Sequence, residues 1–405
     1  MKALIIGGGI AGPAMAMALR KAGIDSVVYE AHPTGAYGAG ATMGLSTNGL
    51  AALRVLDAHR AVAAAGFSCP RGVMWLGNGR RLGEDVPTPL PDGTTAVQLL
   101  RADLYAALHE QATARGVPTE YGRRLVRIDH RGDQVVAHFA DGGEATGDVL
   151  IGADGMRSTT RRFVAPDGPH PRYCGIVGTN GFARDLDLGD LGDLGLDDEC
   201  GTFHMVFGRR AFFGYVRRED GQVWWFVNIP SSREPTPAEL AAIPAERWRH
   251  RLHELLAVDT SPAARIVQAS PPGHDWFVSH QMRAPKTWHR GRAVLIGDAA
   301  HVTSPSSGQG AAMAVEDAVE LARCLRNLPP DQAFPAYQRL REGRLRKVHA
   351  GARQVNRSKS ATGLSRVLRD AMFPVLMKRL GGPQALSWLY DHRIDFDDKV
   401  TTGTG

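Results

Sequence analysis

Residues 2–12, KALIIGGGIAG, join a short aliphatic run to a glycine-rich turn. The run at 2–6 predicts a buried parallel strand, and the glycines after it have the spacing G-x-G-x-x-G. Gly7 permits a tight turn, Gly9 lets the backbone approach a pyrophosphate, and Gly12 lets the following helix pack on the strand. That helix is predicted from about residue 13 to 23, with its N-terminal dipole facing the phosphate.

A second predicted strand, residues 26–29, ends in Glu30. An acid at this point can accept hydrogen bonds from both hydroxyls of an adenosine ribose, which favours a ribose without a 2′-phosphate. A glycine-rich turn alone can be purely structural. Strand, glycines, helix, strand and terminal acid in series predict a dinucleotide site, and they leave NAD and FAD both open.

Two later predicted strands also end in polar motifs. The strand at 148–152 runs into ADGMRSTTR at 153–161, and the strand at 292–296 runs into GDAAH at 297–301. With these motifs the sequence closely resembles the group A flavoprotein monooxygenases, the p-hydroxybenzoate hydroxylase and salicylate hydroxylase family. The resemblance covers essentially the whole chain and implies that the first site holds FAD.

The resemblance also implies which residues contact the cofactor. Asp298 matches an aspartate that accepts hydrogen bonds from the ribityl hydroxyls of the flavin. The segment with Asp154, Ser158 and Arg161 is implicated in FAD and nicotinamide binding; alternatively, Asp154 caps the next turn and Arg161 forms an ordinary ion pair. The expected cofactor contacts are Gly7, Gly9, Ala11, Gly12, Glu30, Ala31, Gly40, Ala41, Arg101, Asp154, Gly155, Arg161, Asp298, Pro305, Gly308, Gln309, Gly310 and Ala311.

A glycine-rich loop, GQG at 308–310, leads into a helix with apolar residues at helical spacing over 311–325. In the family this loop lies against the flavin ring, where backbone N–H groups and the helix dipole stabilise negative charge on the reduced flavin. Ala312 departs from the family, since many members have Asn here, so inferences about reactivity do not carry over. Arg101 matches an arginine that contacts the FAD phosphates or ribityl chain; the alternative is a helix-surface ion pair.

A different pattern begins near residue 172. Aromatic-rich, strand-like stretches at 201–208, 211–217 and 222–229 predict an antiparallel sheet. The resemblance implies that this sheet is the floor of a substrate cavity, although strand alternation puts half of its side chains on the wrong face. The candidate lining residues are His204, Met205, Phe213, Tyr215, Trp225 and Asn228, of which His204, Phe213, Tyr215 and Trp225 are retained. No catalytic acid or base is assigned.

The predicted fold class is α/β, with a Rossmann-like FAD-binding domain, an inserted antiparallel-sheet substrate domain and C-terminal helices. An alternating stretch at 135–141 predicts a small hairpin that scaffolds the first domain. The C-terminal helices are expected to contribute packing and no chemistry. The predicted limits are 1–69, 99–171 and 275–326 for the FAD-binding domain, 70–98 and 172–274 for the sheet domain, and 327–405 for the helical region.

Composition narrows the classes of partner. The net charge is +6 in 405 residues, but the arginines are spread along the chain, so no nucleic-acid partner is expected. The one basic concentration, 339–353, is predicted to be a solvated helix face, or alternatively to attract an anionic cofactor. Four scattered cysteines, at 69, 174, 200 and 324, predict buried thiols of a cytoplasmic protein without a metal site or disulfides. The sequence contains no apolar run of about 20 residues, so no membrane span is expected.

The resemblance implies an NAD(P)H-dependent monooxygenase that forms a flavin hydroperoxide with O2 and hydroxylates an aromatic or polyketide-like molecule. The Ala-, Gly- and Arg-rich composition is associated with GC-rich bacteria and their natural-product or aromatic metabolism. The same intermediate can instead perform epoxidation, Baeyer–Villiger oxidation or oxidative decarboxylation. A non-catalytic alternative is a binding protein like the GDP-dissociation inhibitors. The substrate, the choice between NADPH and NADH, and the oligomeric state stay open.

Overall fold

The computed structural model describes residues 1–35, 41–184, 186, 199–271, 276–380 and 385–401, without the side chains of 376–380. Gly40, one of the expected cofactor contacts, lies outside the described residues. In the described part of the chain, no helix is long and apolar enough to cross a membrane. No cluster of His, Cys, Asp and Glu there is arranged to hold a metal ion.

A six-stranded sheet carries the glycine-rich turn. Its strands are parallel, except that β18 runs antiparallel to β19. Their order is β18 (His289–Arg290), β19 (Ala293–Leu295), β12 (Val149–Gly152), β1 (Lys2–Ile6), β2 (Asp25–Tyr29) and β8 (Thr119–Glu120). Both faces are covered, because Ala3 and Ile5 belong to one apolar core and Leu4 and Ile6 to another. Burial on both faces explains the uninterrupted aliphatic run of β1.

Helices cover one face of this sheet. Here α1 packs on β1 and against α9, and α9 packs against α10. The bounds of these helices, and of others that lie elsewhere in the fold, are α1 (Ala11–Lys21), α2 (Thr47–Val55), α3 (His59–Ala64), α4 (Arg101–Ala114), α5 (Thr159–Val164), α9 (Gly310–Asn327), α10 (Pro330–Lys359), α11 (Gly363–Leu380) and α12 (Ser387–Tyr390). Two 3-10 turns, Gly297–Ala299 and Pro305–Ser307, connect β19 to α9.

Two small antiparallel sheets flank the parallel one. The first packs on its other face and contains the predicted hairpin: β9 (Leu125–Arg131), β10 (Gln134–Phe139) and β11 (Glu144–Gly147). The second brings together strands that are distant in the chain: β3 (Thr42–Leu45), β7 (Val97–Leu100) and β4 (Phe67–Ser68). In this second sheet β3 is paired with β7, which leads directly into α4.

A seven-stranded sheet forms the second part of the fold. Its pairs are antiparallel apart from β14 with β5. The order is β17 (Trp276–Gln281), β13 (Arg172–Ala183), β16 (Val223–Pro230), β15 (Phe212–Arg217), β14 (Thr202–Phe207), β5 (Arg71–Leu76) and β6 (Arg81–Asp85). This sheet reaches past the predicted limit at residue 274, since β17 pairs with β13.

The two faces of the seven-stranded sheet have different neighbours. One face packs against α7 (Ala245–Leu256) and α8 (Ala263–Gln268), which follow the short α6 (Pro237–Ala241). The opposite face, called the chamber face below, carries Phe203, Met205, Phe212, Phe226 and Asn228. Strand β16 of this face contacts β3, and α10 also contacts β16. The chamber face therefore borders the small sheet of β3, β7 and β4 and the helix α10.

A buried ionic network joins α9 to α10. Asp317 and Glu316 are 0% and 1% exposed, and Arg341 is 1% exposed. The guanidinium of Arg341 contacts Asp317 at 2.7 Å and Glu316 at 2.6 Å. Arg344 contacts Glu316 at 2.7 Å, and His301 lies 2.6 Å from Asp317. Burial opposes ionisation of Asp317, but the charges of His301 and Arg341 outweigh it and lower its pKa to about 2.

This network corrects the prediction of a solvated basic face at 339–353. Arg341 and Arg344 point inward and bind the carboxylates of α9, whereas Arg346 and Lys347 are exposed as predicted. The prediction that all four cysteines are buried was also wrong. Cys69 and Cys324 are buried, but Cys174 is half-buried and Cys200 is exposed in the turn before β14.

Replacing Asp317 with Asn should lower the free energy of unfolding at neutral pH by roughly 3 kcal/mol, because Arg341 loses one of two buried counter-charges. Urea denaturation measures this change. The difference from wild type should shrink as the pH falls toward 2, since the wild-type carboxylate then becomes protonated and its contribution is lost.

Glu342→Gln is the matched control on α10. Glu342 pairs with Arg346, whose side chain is 74% exposed. Surface pairs of this kind contribute less than about 1 kcal/mol. Equal losses in the two variants would contradict a stabilising role for the buried network.

Candidate functional site

Four of the predicted motifs meet at one edge of the six-stranded sheet. In spatial order, β19 leads to Asp298, β12 to Asp154, β1 to Gly7 and β2 to Glu30. The strands are parallel, so their carboxyl ends lie side by side. In open α/β sheets, ligands bind outside the carboxyl ends of the strands.

The glycine-rich turn is shaped by close backbone contacts. Gly7 has φ +107°, and a Cβ there would lie 2.4 Å from the carbonyl oxygen of Ala153. A Cβ on Gly12 would lie 1.9 Å from the carbonyl oxygen of Gly7, so α1 packs directly on the turn. Gly9 differs, because a Cβ there would meet nothing within 4 Å. Gly7 and Gly12 are required by packing, whereas Gly9 borders open space.

The second strand end is tied to this turn. The carboxylate of Glu30 accepts hydrogen bonds from the backbone N–H groups of Gly8, at 2.6 Å, and His32, at 2.8 Å. The Nε2 atom of His109, on α4, donates to the carbonyl oxygen of Gly8 at 2.5 Å. Burial lowers the pKa of His109, which keeps its ring neutral near pH 7. Sequence reasoning missed His109, which lies 101 positions from its partner.

Asp154 organises the turn before α5. It accepts hydrogen bonds from the hydroxyl of Ser158 at 2.5 Å and from the backbone and hydroxyl of Thr160 at 2.9 and 3.0 Å. Arg161 donates to the carbonyl oxygens of Met156, at 2.6 Å, and Ala299, at 2.9 Å. Asp154 therefore has the capping contacts of the alternative interpretation. Arg161 connects two strand-end loops through carbonyl groups.

Asp298 and Arg101 are close enough for their charges to interact. Both side chains are accessible, although protein surrounds Asp298 and this burial raises its pKa. The charges of His301, Arg101 and Arg161 lower the pKa of Asp298 part of the way back. A carboxylate that is accessible and yet enclosed lines an internal cleft. The backbone N–H of Arg101 donates to the carbonyl oxygen of Ala41 at 3.0 Å.

The loop before α9 is held in place by the amide side chains of Gln309 and Asn48. Gln309 is 1% exposed; it donates to Ser46 at 3.0 Å and accepts from Asn48 at 3.0 Å. Asn48 also donates to Glu316 at 2.7 Å, which links the loop to the ionic network. At both Gly308 and Gly310 a Cβ would meet nothing within 4 Å. The side chain of Gln309 thus anchors a loop whose two glycines border open space.

The remaining expected cofactor contacts lie around the same edge. Ala11 is buried in the first turn of α1, and Ala31 is half-buried directly after Glu30. Gly155 has φ +71° and open space at its Cβ position. Pro305 is exposed in the turn before α9, and Ala311 is half-buried in the first turn of that helix.

The four retained substrate-lining candidates lie on the face that packs against α7 and α8. Strand alternation accounts for this placement, because neighbouring residues of a strand point to opposite faces. The Nε1 atom of Trp75 donates to His204 at 3.2 Å, and His204 stacks on Tyr215. Phe213 and Trp225 stack within the same core. Met205 and Asn228 lie on the chamber face instead.

The geometry fits a dinucleotide that carries a flavin. The cleft at the strand ends is bordered by open glycine positions in two loops, each at the N-terminus of a long helix that supplies backbone N–H groups. The guanidinium of Arg101 and the enclosed carboxylate of Asp298 interact electrostatically at the same strand ends. This arrangement offers donors for phosphates and for the pyrimidine edge of a flavin, and acceptors for sugar and ribityl hydroxyls.

Comparison with known proteins agrees with this geometry. The model of the FAD binding domain family matches residues 1–337. The chain is 31% identical to 3-amino-4-hydroxybenzoate 2-monooxygenase of Streptomyces cremeus over 97% of this chain and 96% of that protein. It is 30% identical to aurachin C monooxygenase/isomerase of Stigmatella aurantiaca over 87% and 88% of the two chains.

A solved structure extends the likeness to three dimensions. Klebsiella pneumoniae HpxO complexed with FAD and uric acid superposes with a TM-score of 0.81 and 26% identity. The superposition covers 96% of this chain and 97% of that one. The family expected from the strand-end motifs is confirmed. The chain belongs to the FAD-binding family of the group A flavoprotein monooxygenases.

Proposed function

We propose that this chain hydroxylates a small aromatic molecule with FAD, NADPH or NADH, and O2. The observation that carries the proposal is the placement of the glycine-bordered cleft next to the aromatic chamber face, since β16 of that face contacts β3 beside the cleft. Relatives named for aromatic substrates, such as 3-amino-4-hydroxybenzoate, support the substrate class. Four unpaired cysteines support a place in the reducing cytoplasm.

In the proposed FAD site, each strand end has a separate role. The amide of Gly9 and the N-terminus of α1 bind the pyrophosphate, and Glu30 accepts from the adenosine ribose. Asp298 accepts from the ribityl chain, and Arg101 binds phosphate or ribityl oxygens. Asp154 and Arg161 act by shaping the loops around the cofactor, since Asp154 holds the turn before α5 and Arg161 connects two strand-end loops.

The loop at 308–310 completes this site. Its backbone N–H groups, at the N-terminus of α9, lie at the proposed pyrimidine edge and stabilise negative charge there. Gln309 holds the loop in place through Ser46 and Asn48. Bound FAD supplies the hydride acceptor and the oxygen-activating ring.

The chamber face is the proposed substrate surface. Phe203, Met205 and Phe226 are only partly buried, whereas their strand neighbours His204 and Trp225 on the other face are buried. Aromatic walls of this kind bind flat rings and exclude water, which protects reactive oxygen chemistry from solvent. We therefore transfer the role of substrate lining from the four core residues to this face.

The purified protein should be yellow, and anaerobic mixing with NADPH or NADH should bleach its flavin absorbance in a stopped-flow experiment. Addition of the right aromatic compound, from a panel of phenols and polyketide-like molecules, should accelerate bleaching. Oxygenated product is then identified by mass spectrometry. A colourless protein that takes up no added FAD would favour the alternative of a non-catalytic binding protein.

Gly9→Ala should weaken FAD binding by about tenfold or more, because its methyl group occupies the space through which the pyrophosphate approaches the backbone. The fold should be unaffected, since a Cβ at Gly9 meets nothing within 4 Å. Titration of the apoprotein with FAD measures affinity, and urea denaturation checks stability.

Gly343→Ala is the control for this substitution. Gly343 is exposed on α10, and a Cβ there also meets nothing within 4 Å. FAD affinity should equal that of wild type. If Gly9→Ala behaves in the same way as Gly343→Ala, the proposed position of the pyrophosphate is wrong.

A further inference from the structure

The last residue of α10, Lys359, is buried against the chamber face. Its side chain is 6% exposed, and its Nζ atom lies 3.9 Å from the ring centroid of Phe212 and 5.4 Å from that of Phe226. The Nζ atom donates to the Oδ1 atom of Asn228 at 3.2 Å. Lysine is seldom buried in this way without a charged partner.

No carboxylate of the described residues forms an ion pair with this ammonium group. Burial alone lowers the pKa of Lys359 to about 7. The nearest acid on the following helix, Asp370, is paired with Arg366 and Arg369. One amide oxygen and two ring faces compensate poorly for the lost hydration of an ammonium ion, which retains two further N–H donors. The ammonium group of Lys359 therefore lacks an anionic partner.

Lys359 is also close to the loop that we assign to the flavin. Asn356, three residues earlier on α10, accepts a hydrogen bond from the hydroxyl of Ser304 at 2.9 Å. Ser304 caps the turn Pro305–Ser307, which leads into the glycines at 308–310. Three helical residues advance about 4.5 Å, so Lys359 lies about one helical turn from the contact with this loop.

Three side chains of the chamber face near these groups are partly accessible. Phe203, Met205 and Phe226 stay partly accessible in the middle of the sheet, as a surface that borders a space does. Asn180 pairs with Phe226 in register, so both side chains lie on the same face. The Nδ2 atom of Asn180 is buried and has no acceptor among the described residues. The chamber face thus presents a second unused donor.

We propose that Lys359 binds an anionic oxygen of the aromatic substrate and selects acids over neutral rings. This inference rests on the proposed function, since it deepens the description of the same site. A carboxylate or an ionised phenol would supply the missing counter-charge while its ring packs on the phenylalanines. The substrate class is therefore an aromatic ring that carries an acidic oxygen. The C-terminal helices then contribute to recognition as well as packing.

Calorimetric titration of the FAD-saturated protein at neutral pH tests the proposal. The probes are matched acid and amide pairs: benzoate with benzamide, salicylate with salicylamide, and 1-naphthoate with 1-naphthamide. Pentafluorophenol, which is ionised at neutral pH, is compared with pentafluoroanisole. At least one acid should bind roughly 10-fold to 100-fold more tightly than its neutral partner. A preference confined to the carboxylates or to the phenol identifies which anion is recognised.

Lys359→Met should abolish this preference, because it removes the charge and keeps the apolar stem. Asn228→Asp should abolish it as well, since the new carboxylate pairs with the lysine. Lys347→Met, which removes an exposed charge from the same helix, should preserve the preference. A preference that survives in Lys359→Met, or no preference for any acid in wild type, overturns the proposal. Failure to bind FAD would instead overturn the proposed function, because calorimetry detects the probes without a flavin signal.

Discussion

Two neighbouring carboxylates in the middle of α9, Glu316 and Asp317, hold the cofactor side of this protein together. Each is buried completely, and each binds groups from other elements: arginines of α10, His301, the amide of Gly297, and Asn48. An unpaired buried charge is much more costly than a missing surface contact. The partners must therefore assemble together, which makes the helices α9 and α10, the strand-end turn and the first turn of α2 one cooperative unit.

This cooperative unit fixes the position of the residues that border the cleft. Asp317 accepts from the backbone N–H of Gly297 at 2.9 Å, directly before Asp298. Glu316 holds Asn48, and Asn48 holds Gln309 between the two open glycines. Both walls of the cleft are thus positioned by side chains that point away from it. A polar site arranged in advance need not reorganise when charge develops there.

Local patterns predicted the parallel strands, the glycine-rich turn and the long helices, because strand burial, turn geometry and helical spacing are properties of neighbouring residues. Local patterns could not predict which face of the seven-stranded sheet packs against helices and which face borders the chamber. An aromatic pair such as Phe213 and Trp225 has the same alternation whether helices or a ligand cover it. His109 and Arg341 were also missed as functional groups, since their partners lie 101 and 24 or more positions away. The adjacent acids in the apolar pattern of α9 were the one available signal for the buried network.

In the seven-stranded sheet, selection for stability and selection for the lining of the chamber act on different residues of the same strands. One set of alternating positions packs against α7 and α8 and determines whether the sheet is stable, whereas the intervening set borders the chamber. Substitutions at Met205 or Phe226 would alter the proposed substrate surface while leaving the packing of His204 and Trp225 intact. A lineage can therefore exchange one ring for another by point mutation without first acquiring spare stability. This independence of the two faces offers a physical route by which one scaffold comes to oxidise many different molecules.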